Sequence, residues 1–179
     1  MYFNCSQRQL IDLLRKLWEQ HIMWTRSFII STAEGLGDLP MVTERLLRNP
    51  SDFAKVFKQF YGPEIAEQLE KLFREHLLIA ADLVTALKVG DTAKAAESNK
   101  KWYANADEIA AFLSSINPYW DDRQWRNLLY DHLDMTAKEA TERLNKQYEE
   151  DVKRYDTIEH NALQMADFMA SGILAQFRI

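Results

Sequence analysis

Apolar residues in this chain recur at intervals of three and four over long stretches, and nowhere do apolar and polar residues alternate with period two between turn signals. A helix brings residues i, i+3, i+4 and i+7 onto one face, whereas a strand needs the alternation that is missing. Every main element is therefore expected to be a helix.

Leu10, Leu14, Leu17, Trp24 and Phe28 mark a first helix over about residues 7–34, with Ser6 and Gln9 at capping-box spacing and Gly35-Leu36-Gly37-Asp38-Leu39-Pro40 as its stop. Short helical pieces at about 41–48 and 52–60 are punctuated by Asn49-Pro50 and Gly62-Pro63. Pro63 opens a second long helix, whose pattern Leu69, Leu72, Ala80, Leu83, Leu87 runs to Gly90. Asp91 or Thr92 caps a third, with Ala95, Trp102, Ala106, Ile109 and Leu113 on its seam and Asn117-Pro118 at its end.

A shorter amphipathic helix is expected over residues 121–134, with Trp125, Leu128 and Leu129 on one face. Thr136 and Glu139 read as a second capping box, opening a last helix over about 137–177. Leu144, Tyr148, Val152, Tyr155, Ala162, Ala166, Met169 and Ile173 lie on its seam. The expected architecture is all-α, an up-down four-helix bundle of long helices with additional short helices, in a single domain over residues 1–179.

Composition narrows the function classes. Hydrophobic residues at 47% and charged residues at 27% suit a chain that folds around its own core. A net charge of −5, with lysines and arginines dispersed among acids, offers no basic surface for nucleic acid. The single cysteine, Cys5, excludes an intrachain disulfide and any multi-cysteine metal site, and fits a reducing compartment. With no signal-peptide pattern and no apolar run long enough for a membrane span, the expected location is the cytoplasm. Gly35-Leu36-Gly37 follows a helix and not a strand, and no Walker loop, nucleophile elbow or HExxH occurs, so no nucleotide cofactor is expected. Oligomeric state is left open, a homodimer included.

Polar residues on the apolar seams carry the functional reading. His21 lies among Leu14, Leu17, Trp24 and Phe28, and His76 among Leu69, Leu72, Ala80 and Leu83, so both point inward. Asn105 belongs to the series Ser98, Trp102, Ile109, Phe112. At ~1.5 Å per residue, His21 and His76 lie roughly 18–20 Å from the shared end of an antiparallel pair, and Asn105 reaches the same layer from the other end of the second helix. Glu159 on the last helix would complete the layer, between Tyr155, Val152, Ala162 and Ala166; Asp156 with His160, an i,i+4 pair on an adjacent face, is the alternative.

Imidazoles and a carboxylate in one layer are ligands for iron, manganese or zinc, and bundles build such sites from facing helices. The candidate metal ligands are therefore His21, His76, Glu159, His160 and Asp156, with Asn105, Trp24 and Trp102 beside a bound metal or small ligand. The competing reading is a hydrogen-bonded polar network that fixes helix register in a non-catalytic interaction module. His132, beside Leu128 and Leu129, is expected to be structural, and the five tryptophans are in the first instance core aromatics.

The runs Leu17-Trp18-Glu19-Gln20-His21-Ile22-Met23-Trp24-Thr25-Arg26, Arg48-Asn49-Pro50-Ser51-Asp52-Phe53, Glu75-His76-Leu77-Leu78-Ile79-Ala80-Ala81-Asp82-Leu83-Val84 and Trp102-Tyr103-Ala104-Asn105-Ala106-Asp107-Glu108-Ile109-Ala110 resemble an uncharacterised bacterial helical-bundle family, chiefly from spore-formers. Its members are often labelled acetylglutamate kinase. Kinases of that class have a parallel sheet and glycine-rich phosphate loops, whereas this chain has five glycines and no strand pattern, so kinase activity is not expected. In helix pattern and inward histidines the chain is also similar to hemerythrin-like metal-binding bundles, whose ligand spacing it does not reproduce, and the Glu-x-x-His of ferritin-like di-metal sites does not occur in it.

Overall fold

A computed structural model describes residues 7–179 as seven helices: α1 (Gln7–Glu34), α2 (Leu39–Leu46), α3 (Asn49–Tyr61), α4 (Pro63–Val89), α5 (Thr92–Ile116), α6 (Asp122–Leu144) and α7 (Tyr148–Phe177). No strand occurs among the described residues, in keeping with the missing period-two pattern. Ser6 and Cys5 lie outside them, and with Ser6 the first of the two expected capping boxes. Among the described residues no helix is long and apolar enough to cross a membrane.

The helix ends follow local chemistry. Pro63 occupies the first turn of α4, where its missing N–H costs nothing, and Gly90 closes that helix in the left-handed region at φ 73°. Asp91 caps α5 by accepting from the Lys94 N–H at 2.9 Å, and Asp121 caps α6 by accepting from the Gln124 N–H at 2.8 Å.

The bundle differs from expectation on its C-terminal side. The helix expected over 121–134 continues to Leu144, because Leu129, His132, Leu133, Thr136 and Ala140 keep one buried face unbroken. Thr136 and Glu139 are thus mid-helix residues and not a capping box. The chain reverses instead at Asn145–Gln147, with Lys146 in the left-handed region at φ 61°. Five helices are long, α1, α4, α5, α6 and α7, and α2 and α3 form the link from α1 to α4. α4 packs on α5, α5 on α6, α6 on α7 and α7 on α1, with α3 laid against α4.

The largest buried cluster runs through all five long helices and α3, from Leu10 and Leu14 through Phe53, Leu69 and Ile109 to Met165 and Ile173. A second, smaller cluster around Phe28, Ile29, Leu77 and Val84 lies at the α2 end. Between α1, α6 and α7 sits a buried ion group: the Arg26 guanidinium donates to Glu139 and to both Asp151 oxygens, at 2.6 and 3.2 Å for the latter. Asp151 also pairs with Arg143 at 3.5 Å. Burial pushes the Glu139 carboxyl up to about 7, against the pull of Arg26.

Candidate metal centre

α1, α4 and α6 each deliver one histidine to the same layer of the interior. His21, His76 and His132 are 6%, 5% and 2% exposed. Their ring centroids are 6.2 Å apart for His21 and His76, 5.4 Å for His21 and His132, and 6.3 Å for His76 and His132. One ligand nitrogen from each falls within 4.8 Å of the others, the one such group of histidine, cysteine or acidic side chains found among the described residues.

Two of the rings are held by the same device. The His21 Nδ1 faces Asn49 Oδ1 at 3.2 Å, and the Asn49 amide donates to the carbonyl of Leu17, four residues before His21, at 2.9 Å. The His76 Nδ1 faces Asn105 Oδ1 at 2.9 Å, and the Asn105 amide donates to the carbonyl of Leu72, four residues before His76, at 3.2 Å. An amide NH2 can only donate, so the carbonyl fixes which way each asparagine points. Its Oδ1 then requires an N–H at Nδ1, which leaves the lone pair at Nε2. For His76 this tautomer is set from the other side too, since the Trp102 indole N–H donates to Nε2 at 3.2 Å.

His132 has no such partner. Its Nδ1 is buried without a hydrogen bond, an unusual state for a polar atom in a core. All three rings are held neutral. Burial lowers His21 to about 4 and, with the repulsion a protonated His21 would add, His76 to about 3. Burial and then its two neighbours put His132 well below its ordinary value. Neutral imidazoles keep the lone pairs that a metal needs.

Tetrahedral coordination at 2.0–2.1 Å puts ligand nitrogens about 3.3 Å apart. The present group must close by up to roughly 1.5 Å to reach that spacing, within the reach of side-chain rotation. The donor set is all nitrogen.

One helical turn further along lies a void of about 10 Å³, room for one water-sized molecule. Its lining includes Thr25, Ala80 and Thr136, each four residues after one of the histidines, together with Trp102. The Thr25 hydroxyl donates to the His21 carbonyl at 2.8 Å, whereas the Thr136 hydroxyl is buried without a partner.

The sequence places three members of this layer correctly. His21 and His76 meet as expected, and Asn105 supports His76 as an orienting neighbour. Trp102 touches the centre through its indole N–H. Trp24 does not: it packs with the smaller cluster, under the Arg45 guanidinium at 4.9 Å.

Glu159, Asp156 and His160 are all exposed and do not join the histidines. The expected seam of the last helix was phased through Leu144, Tyr148 and Val152. The reversal at Asn145–Gln147 breaks the first part of that seam: Tyr148 and Val152 are exposed and the buried face there runs through Asp151 and Ile158, whereas Ala162, Ala166, Met169 and Ile173 are buried as expected. Val152, seven residues before Glu159, is exposed like it.

Two members escaped the sequence reading. His132 reads as structural on a short helix, whereas the spacing of Leu129, Leu133, Thr136 and Ala140 signals the longer one that carries it inward. Asn49 reads in the sequence as turn punctuation before Pro50, whereas in the fold it is fully buried. Compared with protein-family models, curated proteins and solved structures, the chain matches none.

Proposed function

We propose that this protein binds one divalent transition-metal ion through His21, His76 and His132, with Asn49 and Asn105 as orienting partners. The observation that carries the reading is the convergence of three buried, neutral imidazoles from three helices on one point. Hydrogen-bonded carbonyl groups behind metal-binding histidines set the tautomer and strengthen the ligand, and two of the three histidines have them. The orphaned Nδ1 of His132 is a further support, because coordination or ring rotation about a bound ion would end its isolation.

An all-imidazole set favours zinc or iron over manganese, which prefers oxygen ligands. Three protein ligands leave a fourth position open, as in sites where a metal binds an exogenous molecule. The acetylglutamate kinase reading finds no support in a fold whose described residues hold seven helices and no strand.

The test is elemental analysis of tag-free protein, as purified and after reconstitution with zinc or iron. About one equivalent is expected in wild type, falling by at least tenfold in H132A and H76A. Less than about a tenth of an equivalent in reconstituted wild type excludes the metal reading. The second reading, a register-fixing polar network, is favoured by the Trp102 bond to His76, which satisfies that lone pair without an ion.

A further inference from the structure

We infer that the loaded centre binds a small monovalent anion at its open coordination position, held by the indole N–H of Trp102. The inference rests on the metal reading above and concerns what else the site takes.

Three observations lead to it. The first is charge. The candidate ligands are three imidazoles, which coordinate through a lone pair and bring no negative charge, and the group contains no carboxylate, so a divalent ion would bring its full +2 into a buried layer. A charge taken from water into an interior must be compensated, and an anionic ligand bound directly to the ion does so most effectively. The nearest buried carboxylate on α6, Glu139, is already engaged by Arg26.

The second is the placement of Trp102. Its Nε1–H lies 3.2 Å from His76 Nε2, the nitrogen that the Asn105 contact leaves free to coordinate. Once that lone pair is on a metal the indole loses its acceptor. It is then a buried donor, 2% exposed as a residue, at hydrogen-bonding distance from a coordinating atom. An acceptor on the ion is the natural replacement partner, and a donor aimed at a bound anion is worth more than one aimed at a neutral group.

The third is space and polarity. Trp102 also lines the void of about 10 Å³ one turn away, so a small amount of spare room lies beside the indole that faces the centre. Thr136 lines that void with a hydroxyl that has no partner, a second unspent polar group on the same side. Hydroxide, or azide with one end on the ion and the other reaching towards the void, has the charge required; larger oxyanions exceed that room.

The experiment uses cobalt(II) as the visible probe and sodium azide as the anion. Addition of azide to cobalt-loaded wild type is expected to change the d–d bands saturably. W102F should bind azide at least tenfold more weakly, with both proteins compared at full cobalt occupancy. As a check that does not depend on a variant folding, the Trp102 indole N–H signal of the zinc-loaded wild type should move on loading and again on addition of azide. Stoichiometric cobalt binding with d–d bands indifferent to azide overturns this inference while leaving the metal site intact. So does equal azide affinity in W102F, or a Trp102 signal indifferent to azide. Failure of cobalt and zinc to bind at all overturns both readings together.

Discussion

At the scale of single residues, the centre depends on side chains that never touch a ligand. Asn105 joins His76 to the Leu72 carbonyl, and Asn49 joins His21 to the Leu17 carbonyl, so each amide spends both ends in the core. Replacing Asn105 by alanine leaves the His76 N–H without an acceptor. It should cost about 1–3 kcal/mol of stability in a urea melt, and roughly 10–100-fold in zinc affinity by competition with a chromophoric chelator. If N105A binds zinc as tightly as wild type, the asparagine does not orient the ring. Asn105 could be found from sequence because its helix phase and its distance from the helix end are both fixed by well-marked boundaries at Asp91 and Asn117. Asn49 could not, because it is the first residue of the short α3, where no seam yet marks a face, and its neighbour Pro50 advertises only a turn.

At the scale of elements, α6 and α7 are where local signals are weakest. Gly or Pro marks the end of α1, the α3–α4 junction, the end of α4 and the loop after α5. The α6–α7 reversal is made by Asn145, Lys146 and Gln147 alone. Without a Gly or Pro there the end of α6 reads as the start of the last helix, which carries a false phase into the first turns of α7, places Glu159 inside and leaves His132 on a short helix. α7 is held elsewhere by steric fit. A Cβ on Gly172 would stand 1.9 Å from Trp120 Nε1, the atom that donates to the Phe168 carbonyl at 3.2 Å. Gly172→Ala should therefore force the indole aside and lower stability by about 1–3 kcal/mol in thermal or urea melts, despite alanine's better helix propensity. A melt unchanged or raised would show that Trp120 moves at no cost.

For the whole molecule, the buried histidines set how stability responds to acid. Their folded values lie far below the 6.5 of an exposed histidine, so below about pH 6.5 the unfolded chain takes up protons that the folded one refuses. Each should remove roughly 2 kcal/mol of stability between pH 6.5 and 5. Glu139 acts in the opposite sense. Its value is raised to about 7 from 4.5, so the folded chain holds that proton more firmly and loses stability as pH rises through this window. One such group is outweighed by three histidines. The urea midpoint should fall on acidification from pH 7 to 5, and more steeply in E139Q, where the opposing slope is gone. A midpoint that is flat or rises towards pH 5 would contradict neutral burial of the triad. Zinc at 100 times its dissociation constant should in turn stabilise the fold by about 3 kcal/mol at pH 7, read as a rise in melting temperature.

The three histidines are also far apart along the chain, His76 following His21 by 55 residues and His132 following His76 by 56. No local segment can make the centre. A growing chain that has reached the end of α5 already owns both asparagine-held rings, yet it lacks the third donor until α6 is made and docked. An ion bound to all three would tie these helices at one point and close two long loops of the unfolded chain, as a covalent cross-link does. Metal retention would then certify that the polypeptide is intact through α6 and correctly assembled, and a cut between α5 and α6 that lets them part would release the ion.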